Sequence, residues 1–133
     1  MCIIIDANKL GDFLNPRHQE SEPIRQWLKR KGKLIYSTSG KFAKEIGRGN
    51  REKLKRHWQK GEADLVSHKE FIAEEQAFKN CALVKSDDPH ILALAQHTGT
   101  RLLYTEDSNL IKDFKNIKLI HNPRGKVLSL IHI

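Results

Sequence analysis

"MCIIIDAN", residues 1 to 8, runs Cys2-Ile3-Ile4-Ile5 straight into Asp6. "RLLYTED", residues 101 to 107, repeats the construction near the other end, an apolar run followed by Asp107. Short runs rich in β-branched and aliphatic residues, bounded by polar ones, mark strands buried on both faces of a parallel sheet. Working outward, four strands are predicted: Cys2 to Ile5, Lys33 to Tyr36, Arg101 to Tyr104 and Lys118 to Ile120. Segments of helical period lie between them. "SEPIRQWLKRKG" places Pro23 in a first helical turn, Ile24, Trp27 and Leu28 on one face and Gly32 at the stop. Ser67 and Glu70 make a capping box ahead of Phe71, Ile72 and Phe78. A third helix runs from Asp88 through Ile91, Leu92, Leu94 and Ala95 to Gly99. Strands alternating with helices predict an α/β fold, three layers α/β/α around a central, mostly parallel sheet.

At 133 residues the chain is sized for one domain, spanning 1–133. The stretch Gly47 to Gly61, "GRGNREKLKRHWQKG", reads as a loop followed by a short basic helix, and "NPRGKVLSLIHI" offers an edge strand or a partner contact. Hydrophobic residues make up 38% and charged residues 30%, which argues against long disorder. The apolar run Cys2 to Ile5 is too short for a signal peptide, and nothing approaches a membrane span, so a cytoplasmic protein is expected. Cys2 and Cys81 form no CxxC or zinc spacing and read as free thiols. A net charge of +8 favours a polyanionic partner, most often nucleic acid.

In an open parallel sheet ligands gather beyond the carboxyl ends of the strands, where Asp6 and Asp107 stand. Asp88 opens a helix immediately before Pro89, and Glu45 follows the second strand by about two helical turns. Loops and first turns of this kind bring all four towards one cleft. Two unit charges about 4 Å apart repel by about 1 kcal/mol in water and about 4 at an effective dielectric of 20, so a cluster of acids either holds protons or binds cations. Hard oxygen ligands suit Mg²⁺ or Mn²⁺, which activate water and neutralise a phosphodiester. Each acid alone has an ordinary reading: Asp88 as a helix cap, Asp6 and Asp107 as turn or cap residues, Glu45 as a solvated helix residue. Their joint order favours the functional one. Glu52, Glu74 and Glu75 remain alternatives to Glu45.

Taken together, "IIIDAN", "LIYSTSGKFAKEI" and "SDDPHILALAQHTGTRLLYTED" resemble the PIN domain nucleases, which include the toxins of prokaryotic toxin-antitoxin pairs. The resemblance covers nearly the whole chain and implies a PIN-like domain. It further implies that Asp6, Glu45, Asp88 and Asp107 hold one or two Mg²⁺ or Mn²⁺ ions and cleave a phosphodiester, usually of RNA. Asn8 and Thr105 match polar positions that orient a carboxylate or water. For a toxin the family implies an acidic antitoxin as partner, and family members often form homodimers. Asn109 stands where many members carry a further acid; Asp113 is the substitute available in the following helix, though a solvated surface Asp is the plainer reading. Asp87 ranks below Asp88 because the register of Ile91, Leu92 and Ala95 favours the latter.

From Lys41 to Lys60 there are two acids among many Lys and Arg, so Lys41, Arg48, Arg51, Lys53, Lys55 and Arg56 are expected to guide a phosphate backbone beside the metal pocket. Trp58 or His57 is available for base stacking, with a core position the preferred reading of Trp58. The seven histidines show no ligand spacing, and His90 is expected on an exposed face. Two further readings compete. A haloacid-dehalogenase-like phosphatase also places an Asp after its first strand but needs a second Asp where Asn8 stands. A noncatalytic nucleic-acid-binding module would keep the fold without the metal.

Overall fold

The computed structural model describes residues 1–37 and 39–128. Its elements in order are β1 (Cys2–Ile5), α1 (Ala7–Leu14), α2 (Glu22–Arg30), β2 (Lys33–Tyr36), α3 (Lys41–Glu45), α4 (Arg48–Gln59), β3 (Ala63–Leu65), α5 (His68–Lys79), α6 (Pro89–Thr98), β4 (Leu102–Tyr104), α7 (Ser108–Lys115) and β5 (Lys126–Leu128). The five strands lie in the order β3-β2-β1-β4-β5, and all four pairings are parallel. The sheet is therefore wholly parallel among the described strands rather than mostly so. Ile3, Ile4 and Ile5 are fully buried on the central strand, worth about 1.5–3 kcal/mol each as an upper bound.

From β1 the chain moves outward to β2 and β3, then returns past β1 to β4 and β5. Right-handed crossovers in opposite directions put their helices on opposite faces, which gives the three α/β/α layers. On one side α1 packs with α2 and α4; α5 packs on α6. The reversal of direction falls between β1 and β4, the point at which such sheets open a crevice at their carboxyl edge. Asp6 and Thr105 follow these two strands directly.

Glycines set two of the approaches. A Cβ on Gly32 would lie 2.4 Å from the Trp27 ring, so the half-buried indole covers the turn into β2 only because that residue is glycine. Gly40, at φ +64°, opens α3, and a Cβ there would meet the His68 ring at 2.7 Å. The capping box of Ser67 and Glu70 forms at the start of α5.

Two expectations change. Lys118 to Ile120 is a turn, closed by Asn116, whose carbonyl accepts the N–H groups of Leu119 and Ile120 while its side chain accepts that of Lys118. Leu119 and Ile120 reach the core from that turn, which explains their apolar character without a strand. The edge strand that the tail segment offered is present as β5; residues 129–133 of that segment lie outside the described residues. The segment from Gly47 is helical from Arg48 onward rather than beginning as a loop, and β3 follows it. No helix among the described residues is long and apolar enough to cross a membrane.

Candidate functional site

Asp6 leaves β1 with its N–H still paired to the Tyr104 carbonyl at 3.0 Å, so the β1–β4 ladder fixes its backbone. Its carboxylate is buried and accepts a 2.7 Å hydrogen bond from the Thr105 hydroxyl. Thr105 Oγ1 in turn accepts the Asp107 N–H at 3.1 Å. Thr105 thus ties the ends of two neighbouring strands together. Asp107 caps α7 through Oδ1, which accepts from Asn109 and Leu110 at 2.9 and 3.1 Å. Asp6, Asn8, Lys9, Glu106 and Asp107 line a cleft of about 350 Å³, bridged by a 2.8 Å Lys9–Glu106 ion pair. That bridge is a feature the sequence did not signal.

Asp88 approaches from the start of α6. It occupies the cap position but makes no side-chain capping bond, so its ordinary reading as a cap does not account for its carboxylate. Only 9% of the residue is exposed. Its carboxyl is pushed up to about 6, by burial first and then by the negative charges of Asp6 and Glu45, against the pull of His90 and Lys41. Asp6 and Glu45 thus both lie within electrostatic reach of the Asp88 carboxyl. The Lys41 ammonium donates to the Asp87 carbonyl at the same edge. Asp87 itself is exposed.

Glu45, the last residue of α3, accepts a 2.6 Å hydrogen bond from His90 Nε2. Burial would raise its carboxyl, but the hydrogen bond and charge of His90, with Lys41, outweigh this and hold it below the usual range. An ionised carboxylate only accepts, so the proton of this bond sits on Nε2. His90 is fully buried, not exposed as its position two residues after Asp88 suggested. The cause is α6 itself: His90, Ile91, Leu92, Ala93, Leu94 and Ala95 are all buried, so the helix has no open face along that stretch. Phe42 meets the imidazole edge-on at 4.5 Å between centroids.

Ligand atoms of Glu45, Asp88 and His90 all lie within 4.8 Å of one another, a group able to hold a metal ion. Beside it the buried Tyr36 hydroxyl has no hydrogen-bond partner among the described residues, and burial together with Glu45 and Asp6 raises its pKa. The convergence of acids beside an orphaned hydroxyl marks a candidate metal-binding cluster.

Other candidates separate from this site. Glu75 is buried against His68 at 2.7 Å, Glu74 meets His97 at 3.2 Å, and Glu52 is exposed. Asp113 is neither solvated nor a substitute ligand: it is buried and accepts the N–H groups of Lys85 and Ser86 at 2.8–3.1 Å. The basic residues of α4 divide between two grooves. Arg51, Lys55, Trp58 and Leu65 line one, while Lys53, Arg56, His57 and Lys60 line another with Lys29 and Arg25, near the start of β3. Lys53 and Arg56 therefore do not stand with Arg51, and Arg48 is exposed at the first turn of α4. Trp58 is 49% exposed and not in the core; Leu54 alone anchors α4 there.

Comparison with protein-family models, with curated proteins and with solved structures found no match.

Proposed function

We propose that this protein is a metal-dependent endoribonuclease of PIN-domain type, using Mg²⁺ or Mn²⁺ to hydrolyse RNA phosphodiester bonds. The observation that carries the reading is the Asp88 carboxylate, buried, capping nothing and crowded by Asp6 and Glu45. An arrangement that raises a carboxyl in this way costs stability unless a cation offsets it. Asp6, Glu45, Asp88 and Asp107 would hold the ion. A divalent cation at such a site lowers the pKa of water and neutralises charge on the scissile phosphate.

The chain's own residues supply orientation. Thr105 fixes one oxygen of Asp6, leaving the other for a ligand. His90 holds Glu45 from inside the core, which makes it an orienting residue rather than a ligand through the same nitrogen. Lys41 adds positive charge near the phosphate's path. The net charge of +8 favours the approach of a polyanion to a cleft that is itself acidic. Within this reading a cytoplasmic toxin is the biological setting, an acidic antitoxin its inhibitor and a homodimer its assembly.

Cleavage of a mixed, 5′-labelled RNA pool with Mg²⁺, Mn²⁺ or EDTA tests the proposal, with Asp6→Asn as the control. Metal-dependent cutting that disappears in the variant is the expected result. No cutting with either metal, or equal cutting by the variant, overturns it.

A further inference from the structure

We infer that Trp58, Arg51 and Lys55 form a subsite on which an unpaired base of the RNA stacks. The three residues stand at i, i+4 and i+7 of α4, hence on one face, and with Leu65 they line a groove of about 290 Å³. Trp58 is the one aromatic among the large exposed hydrophobic residues of the described chain. Fully burying an aromatic side chain is strongly favourable, so a half-exposed indole on a helix otherwise clothed in Lys, Arg, Glu and Gln has a face to offer a ligand.

The position relative to the cleft follows from two contacts. Arg51 Nη2 donates to the Ala43 carbonyl at 3.3 Å, which ties this face of α4 to α3, the helix that ends on Glu45. Leu65 is the last residue of β3, so the Arg51 and Leu65 end of the groove lies at the carboxyl edge of the sheet, while Trp58, in the last turn of α4 before β3 begins, lies towards the amino edge. Two cations in line with an aromatic face suit a polymer carrying phosphates and flat rings in alternation, which an acidic peptide does not. Stacking requires a base that is free of its duplex, so the subsite selects single strands. The choice of RNA as the polymer rests on the proposed function; the stacking itself does not require cleavage.

Binding of a labelled single-stranded RNA oligonucleotide, followed by fluorescence anisotropy in EDTA, tests the subsite without catalysis. Trp58→Ala is expected to weaken binding by about 5- to 100-fold, the value of one stacked base. Trp58→Phe restores most of the loss, which a merely basic surface would not require. The matched duplex is affected less than twofold, and salt dependence flattens in Arg51→Ala and Lys55→Ala but not in Trp58→Ala. Equal binding by wild type and Trp58→Ala overturns the inference, as does an absence of binding by the wild type. Loss in Trp58→Ala that is as large for the duplex or for polyglutamate also overturns it. Trp58-dependent binding by a protein that cuts nothing with either metal leaves the subsite standing and refutes the nuclease reading alone.

Discussion

Two histidine–glutamate pairs lie close together in this fold and face opposite ways. In the first, Glu75 is buried, and the partly exposed His68 covers it at 2.7 Å, with Lys79 at 3.9 Å. In the second the order is inverted: His90 is buried and Glu45, its side chain 27% exposed, lies outside at 2.6 Å. The same two residue types, joined through the same imidazole nitrogen, pack on neighbouring phenylalanines, Phe71 and Phe42, whose rings are 6.0 Å apart. The first pair encloses its acid and uses it up. The second anchors a carboxylate from below and leaves it facing Asp88. Burial of an acid is therefore a poor guide to function here; what distinguishes the site is a carboxylate held firmly while an oxygen stays available.

Exchanging each acid for its amide tests this difference most strongly. Glu45→Gln is expected to lower kcat/KM for RNA cleavage by about 100-fold or more, because a neutral amide is a weak ligand for a hard cation. Glu75→Gln should leave cleavage within about twofold while lowering Tm, since its carboxylate pairs with His68 and Lys79. The reverse ranking would assign the catalytic acid to the wrong pair. Removing the histidines gives a smaller contrast. His90→Ala is expected to weaken Mn²⁺ binding, read by calorimetry, by about 10-fold, as loss of an orienting partner does elsewhere. His68→Ala should destabilise the fold without changing Mn²⁺ affinity. An equal loss of affinity in both would reduce His90 to a structural residue.

The sequence disclosed the half of this arrangement that depends on local pattern. Asp6 and Thr105-x-Asp107 are legible because apolar runs end abruptly at the carboxyl edge of a parallel sheet. Glu45 and Asp88 are legible by their order along α3 and α6. His90 was hidden because "HILALA" is apolar on every side, and a helix buried all round gives no period from which to assign an exposed face. Asp113 was hidden because its partners, Lys85 and Ser86, are distant in sequence. Trp58 was misplaced because α4 carries one buried anchor, Leu54, and one residue cannot define a stripe. Strand β3, three residues long and edge-placed, has too few side chains to announce itself.

The smallest expected effect concerns stability and its dependence on pH. Asp88 has a carboxyl raised from 3.8 to about 6 in the fold, so the folded protein prefers it protonated. Its contribution to stability is fully present below the unfolded value and is lost as pH rises through about 6. Without metal, the wild type should therefore lose on the order of 1–3 kcal/mol relative to Asp88→Asn between pH 4 and pH 7.5. The variant cannot ionise, so it is the more stable protein at pH 7.5 in EDTA, and the difference fades at pH 4. Urea unfolding of both proteins at the two pH values measures the crossover. Mg²⁺ at pH 7.5 should then raise the Tm of the wild type alone, because a ligand that binds only the folded state stabilises it by mass action. A variant less stable than wild type at pH 7.5 would mean that the Asp88 carboxylate is satisfied within the fold, as Asp113 is, and would remove it from the site.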